Sequence, residues 1–221
     1  MINNILNKNI TREQIKDFIK ETIETLVIVF ILVVFIRSII GEPRWIPSSS
    51  MEPTLQVGDN LIIEKISYRL SEPVRGDVVV FYPPHHELDP SLLGKFSRMV
   101  GFFSKDEAYI KRVIGVPGDK IQVVPEKGVY VNGKLLEEPY KKEIFYGMCH
   151  SGMVCGPFSV PQGSYYVLGD NRNDSTDSRY WGALPKKRIV GKAFFRFWPL
   201  NRIGTINDPK YDIENKQNPA Q

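Results

Sequence analysis

Three polar patches in this 221-residue chain hold the residue types that hydrolytic chemistry needs. The first is Ile46-Pro-Ser-Ser-Ser-Met-Glu-Pro-Thr-Leu55, a serine cluster between two prolines. A serine hydroxyl becomes a nucleophile once a base takes its proton, and flanking prolines stiffen the backbone that must hold it. By local pattern alone the same segment reads as a turn. The second patch is Ala108-Tyr-Ile-Lys-Arg-Val-Ile-Gly115. Strand alternation puts Tyr109, Lys111 and Val113 on one face and Ile110, Arg112 and Ile114 on the other, so whichever face turns inward carries a cation. Lysine can answer desolvation by giving up its proton and becoming a usable base, whereas arginine stays charged and needs a carboxylate. A solvated edge-strand lysine is the competing reading, and the isolated pattern favours it. The third patch, Leu168-Gly-Asp-Asn-Arg-Asn-Asp-Ser-Thr-Asp-Ser-Arg179, is a dense polar loop. Its acids Asp170, Asp174 and Asp177 are opposed by Arg172 and Arg179, which makes calcium a poor occupant.

Other chemistries lack their residues. There is no Gly-x-Ser-x-Gly elbow, no phosphate-binding glycine loop and no His-Glu-x-x-His pair. The adjacent His85 and His86 have no nearby residue to complete a metal site. Cys149 and Cys155 read either as one small disulfide, which implies an oxidising compartment, or as two neighbouring thiols. A metal site built on Cys149, His150 and Cys155 lacks a fourth ligand. No metal and no cofactor is expected.

These patches need elements to position them. Residues 23–41 read as a membrane anchor: the uncharged run Thr25 to Ile36 is short for a span, and Ser38 to Ile40 complete it if Arg37 reaches the interface. The acidic residues mixed into the preceding flank argue against a cleaved signal peptide. Lysines and arginines are more numerous before the span than after it, which predicts an inside N-terminus. Beyond it, strand-like runs occur at 60–66, 77–82, 108–115, 120–124, 129–131, 165–168 and 189–197, broken by Gly, Pro and Asp. Asn132-Gly133 predicts a two-residue hairpin turn. The fold class is mainly β, an antiparallel β-sheet domain behind an N-terminal transmembrane helix. Residues 83–106 read as an exposed loop, and 207–221 as a polar, disordered tail. The net charge of +4, without a Lys/Arg block, gives little support to a nucleic-acid partner.

Taken together, the patches resemble the bacterial signal peptidase I (leader peptidase) family of serine–lysine membrane proteases. Ser48-x-Ser50-Met51-x-Pro53-Thr54-Leu55 resembles its nucleophile box, and Lys111-Arg112-Val-Ile-Gly-Val-Pro-Gly-Asp119 its base box. Gly169-Asp170-Asn171-Arg172-x-x-Ser175-x-Asp177-Ser178-Arg179 resembles its third box, and Arg75-Gly76-Asp77-Val-Val-Val-Phe81 the strand between. All follow an anchor in family order.

The resemblance implies that Ser50 is the nucleophile and neutral Lys111 its base. The Ser48 hydroxyl and the Ser50 N–H would form the oxyanion hole, and Ser175 would orient the lysine. Arg112, Asp170, Asp177 and Arg179 would form supporting ion pairs. Ile46, Pro47, Met51, Leu55, Tyr109 and Ile110 would line shallow pockets for small residues of the Ala-x-Ala type. The substrates would be the signal peptides of exported preproteins, cleaved through an acyl-enzyme, and the lipid bilayer would be the other partner. An apolar surface against the membrane could come from Met99–Phe103 or from Phe194–Trp198, the latter reading rather as a buried core strand. The implied organisation is a cytoplasmic segment 1–22, the anchor 23–41, a catalytic domain 42–206 on the exported side of a bacterial-type cytoplasmic membrane, and the tail 207–221. Arg44 and Trp45 are bulkier than the family usually carries at the groove's edge. A self-cleaving repressor-type protease and a catalytically silent tethered β domain are the alternatives.

Overall fold

The computed structural model describes residues 11–102, 104–149, 152–206, 209 and 211. Thr11 opens the first helix, α1 (Arg12–Phe35), with a capping box. Its hydroxyl accepts from the Gln14 N–H while the Gln14 side chain accepts from the Thr11 N–H, satisfying two donors that a helix start leaves open. A π-helical turn, Ile36–Ile40, carries the chain to Gly41. The helix therefore begins well before residue 23 and includes the charged flank. None of its most apolar window is buried inside the protein. An apolar helix without protein cover requires lipid or a partner around it. Arg37 is not left to find the interface. Its Nε and Nη2 donate to the carbonyls of Val100 and Gly101 at 2.8 and 3.0 Å, and its guanidinium lies 3.8 Å over the Phe102 ring.

Beyond this helix the chain runs β1 (Gly41–Trp45), β2 (Asn60–Glu64), α2 (Ser67–Leu70), β3 (Val78–Phe81), α3 (Leu92–Val100), β4 (Tyr109–Gly115), β5 (Lys120–Val124), β6 (Gly128–Val131), β7 (Lys134–Leu135), β8 (Phe158–Ser159), β9 (Ser164–Leu168), α4 (Ser178–Trp181), β10 (Leu184–Pro185), β11 (Ile189–Trp198) and β12 (Gly204–Thr205). The larger sheet has the order β1-β2-β11-β3-β4-β9-β10 with β12 beside β11; the smaller is β7-β6-β5-β8. The strand pairings are antiparallel.

The seven expected strands are present, their ends moved by two residues at most. The predicted hairpin joins β6 to β7, with Asn132 and Gly133 both at positive φ as a two-residue turn demands. Of the additional strands β7, β8, β10 and β12 have two residues each, and the five-residue β1 contains Pro43, which an edge strand tolerates. The 83–106 segment is not the exposed loop expected. It contains α3, capped by Ser91, whose hydroxyl accepts from the Gly94 N–H at 2.9 Å, and closed by Gly101 in the left-handed region. Among the described residues of the tail, Tyr211 packs against the core and its hydroxyl donates to Tyr140 at 2.8 Å; most of 207–221 lies outside the description.

Strand alternation splits the larger sheet's apolar residues between two clusters. Val78, Val80 and Ile110 pack with Met51, Leu55 and Ile63, whereas Val79, Phe81 and Val113 pack with Tyr165, Val167 and Leu184. The smaller sheet builds a third cluster around Ile121, Val129 and Tyr166. The end of β11 departs from the buried core strand expected: Phe194, Phe197 and Trp198 are exposed, because this end reaches past β3 and pairs only with β2 and the short β12.

Candidate active site

The position of β4 decides the state of Lys111. β4 lies between β3 and β9, so it is an interior strand and not the edge that the pattern alone favoured. Both of its cations are buried by the segments packed on its faces, Lys111 against Ser50 and Arg112 against Thr54 and Asp170, and they meet opposite fates. Arg112 is fully covered and binds Asp170 with two parallel bonds, Nε to Oδ1 at 2.9 Å and Nη2 to Oδ2 at 2.8 Å. Lys111 is 4% exposed, and among the described residues no carboxylate pairs with it. Its Nζ instead lies 2.7 Å from Ser50 Oγ and donates to the Ile110 carbonyl at 3.0 Å. Burial pulls the amine down from 10.5 to about 8, against the opposing pull of the Asp177 and Asp170 charges. About a tenth of the amine is thus neutral at pH 7, far more than for an exposed lysine, and the neutral form is the one a general base requires.

Ser50 is held from several sides. Asn171 N–H donates to the Ser50 carbonyl at 3.1 Å and Asn171 Nδ2 to the Ser49 carbonyl at 3.2 Å. Thr54 Oγ1 donates to Asp170 at 2.6 Å, and Ser49 donates to Asp174. Asn171 and Thr54 were legible as members of the third and first motifs, yet nothing in the sequence assigned them a task. Ser48 Oγ is 3.3 Å from Ser50 Oγ.

Ser175 lies in the same cleft but makes no hydrogen bond to Lys111 among the described residues. Its hydroxyl donates to Asp177 at 2.7 Å, because an ionised carboxylate is the stronger acceptor. Burial would raise the Asp177 carboxyl, and Arg179 with its hydrogen bonds more than offsets this, holding it below the usual range. The Asp177–Arg179 pair is bidentate, at 2.8 Å for both bonds, and Gly169 N–H also donates to Asp177.

A cleft of about 580 Å³ opens over Ser50 and Lys111. Ile46, Pro47, Tyr109 and Ile110 line it as expected, and so do Arg44 and Trp45 at its edge. Met51 and Leu55 do not line it. Both have no exposed surface and pack beneath it with Ile63 and Val78, so they support the wall rather than meet a substrate. Cys149 and Cys155 are joined by a disulfide with Cα atoms 6.1 Å apart, which removes both sulfurs as metal ligands. His150 lies outside the described residues.

The profile of the signal peptidase, peptidase S26, family matches residues 19–198. The chain belongs to that family. It is 47% identical to a probable signal peptidase I-2 of Synechocystis sp. over 84% of this chain and 76% of that one. It is 44% identical to a signal peptidase I of Leptolyngbya laminosa over 86% of this chain and 84% of that one. A crystal structure of a signal peptidase I from Enterococcus faecalis covers 55% of this chain and 97% of that one at 27% identity, with a TM-score of 0.40; the family assignment does not depend on it. As a signal peptidase, the chain is a hydrolase, a serine endopeptidase acting on signal peptides. The exposed apolar α1 fits a membrane-anchored member of the family.

Gly169 marks how closely the third motif packs against Ser50. A Cβ there would stand 2.5 Å from the Ser50 carbonyl oxygen and closer still to the Ser175 hydroxyl. Gly169→Ala is expected to displace both serines and lower kcat about 10²-fold, the order of loss that ångström-scale misplacement brings. Steady-state cleavage alongside a melting curve checks this, and parental kcat would show that the packing is not required.

Proposed function

We propose that the cleft hydrolyses preproteins after segments of the Ala-x-Ala type, by a Ser50 nucleophile and a neutral Lys111 base. The observation that carries this is the buried 2.7 Å contact between Lys111 Nζ and Ser50 Oγ, with no carboxylate bound to the amine among the described residues. The lone pair of Lys111 takes the Ser50 proton as Oγ attacks the carbonyl before the scissile bond. The resulting ammonium then donates a proton to the leaving amine. An ester to Ser50 remains, and a water deprotonated by the same amine hydrolyses it.

The Ser50 N–H and the Ser48 hydroxyl are the proposed oxyanion donors, supported by the closeness of the two serine side chains. Ser175, its hydrogen committed to Asp177, has only lone pairs to offer. These would accept the remaining amine N–H and fix its rotation. Arg112, Asp170, Asp177 and Arg179 position these groups and touch no substrate.

The apolar cleft wall of Ile46, Pro47, Tyr109 and Ile110 favours small residues, since bulky ones overlap it. We place the catalytic domain on the exported side of the membrane, with the N-terminus inside. The lysine and arginine bias supports this, as does the disulfide, which suits an oxidising compartment.

Cleavage of a preprotein carrying an Ala-x-Ala site, with the new N-terminus sequenced, tests the assignment. The expected product begins just after the second alanine, and kcat/KM falls about tenfold per pH unit as the pH drops below about 8. A flat profile from pH 6 to 8 is incompatible with an amine base, and cleavage elsewhere with the specificity.

A further inference from the structure

Two crevices meet where the anchor enters the domain. One, of about 500 Å³, is mainly apolar, with walls of Phe30, Ile31, Val34 and Phe35 from α1 and Phe96 and Met99 from α3. The other, of about 380 Å³, is lined by Lys65, Arg69, Lys95, Arg98, Lys187 and Arg188, and among the described residues by no acidic one. Ser38, Arg69 and Met99 belong to both, so the apolar and cationic walls are continuous. α3 contributes to both crevices: Phe96 and Met99 to the apolar one, Lys95, Arg98 and Met99 to the cationic one. Leu92 and Leu93 are largely exposed on the same helix.

The cations are only partly compensated. Glu42 pairs with Lys65, and Asp106 pairs with Arg98. Arg69 donates to the Ser38 carbonyl, and Arg188 to the carbonyls of Pro83 and His86, contacts that leave both charges intact. Among the described residues Lys95 and Lys187 have no ion-pair partner. α3 itself takes no part in the cleft over Ser50.

We propose that this junction binds one anionic phospholipid, its acyl chain in the crevice between α1 and α3 and its phosphate headgroup among Arg69, Lys95, Lys187 and Arg188. These are the cations not ion-paired there among the described residues, while Lys65 gives its three donors to Glu42 and the Arg37 and Met99 carbonyls. The inference rests on α1 spanning a bilayer, which puts the end of the helix at the depth where headgroups lie. The shape and chemistry of the site select this occupant. A free phosphate accounts for the cations and leaves the adjoining apolar crevice unused. An apolar peptide segment accounts for the crevice and leaves the cations unmatched. A phospholipid has both parts in the order in which the two crevices adjoin.

The test uses the full chain in a mild non-ionic detergent, titrated with dihexanoyl-phosphatidylglycerol, dihexanoyl-phosphatidylcholine or inorganic phosphate, with binding read from the rise in melting temperature. The anionic lipid is expected to bind at least about tenfold more tightly than the zwitterionic one. Lys95→Gln/Lys187→Gln should weaken it about tenfold and leave preprotein cleavage in lipid-free detergent unchanged. Phe96→Ser should weaken both lipids. Equal affinity for the two lipids, an undiminished affinity in the double variant, or inorganic phosphate stabilising as strongly as the anionic lipid would overturn the site. Alkaline carbonate extraction reads the anchor separately. A chain that stays with the membrane but shows no lipid preference loses only this site, whereas a released chain loses the anchor as well.

Discussion

Replacing Ser50 by alanine or Lys111 by methionine is expected to lower single-turnover cleavage of a preprotein by about 10⁴-fold or more, because the two groups work only as a unit. Parental processing by either purified variant would show that the dyad is wrongly assigned. Stability separates the two variants. The Lys111 amine is held at about 8 in the folded chain against 10.5 when exposed. Above pH 10.5 the amine is neutral in both states and burial carries no penalty. As the pH falls towards 8 the unfolded state binds the proton more readily, so folding is progressively disfavoured. Below about 8 the full cost applies, about 3 kcal/mol at about 1.4 kcal/mol per pH unit. Lys111→Met removes that cost. The inactive variant should therefore be more stable than the parent at pH 7 by up to about 3 kcal/mol, with a gain that vanishes as the pH passes 10.5. Ser50→Ala should leave stability nearly unchanged. Denaturation series across this range measure both, and a methionine variant no more stable than the parent at pH 7 would contradict a strongly desolvated amine.

Asp170→Ala should be the most damaging of the supporting substitutions. Asp170 receives two bonds from Arg112 on β4 and one from Thr54, four residues after Ser50, and both charged side chains are fully buried. One ion pair thus ties all three polar patches together. Its loss strands a guanidinium in the interior, which costs about 3–5 kcal/mol. Cleavage should fall with it, since Thr54 and β4 lose their common tie. Arg112→Met/Asp170→Ala should recover at least half of the lost stability, because no uncompensated charge then remains. Urea unfolding of the two variants beside the parent measures this. If the double variant is as unstable as Asp170→Ala alone, the damage comes from lost packing and not from the stranded charge.

The sequence was legible wherever a property repeats at short range. Alternation located the seven expected strands, Asn132-Gly133 located a hairpin, and hydropathy located the exposed apolar helix α1. α3 escaped because its apolar positions run for barely two turns, between segments that carry no periodicity at all. The disulfide was open because spacing alone does not bring two sulfurs together, and the structure joins them. The exposed end of β11 reads as core in sequence, since an apolar run does not state which neighbours it will have.

The serines, the lysine and the third motif were named by their resemblance to a family, while their local patterns favoured a turn, an edge strand and a solvated loop. What overturns those local patterns is long-range. Lys111 is desolvated, and its amine lowered, because distant segments pack over it, among them Ser50, 61 residues earlier in the chain. Arg112 keeps its charge one position along the same strand because the third motif brings Asp170 to it. The sequence by itself determined which residue types were available and the order in which they occur. The tertiary structure decided which cation would be paired and which would be buried without a carboxylate among the described residues, because burial and partners belong to the fold and not to any stretch of chain.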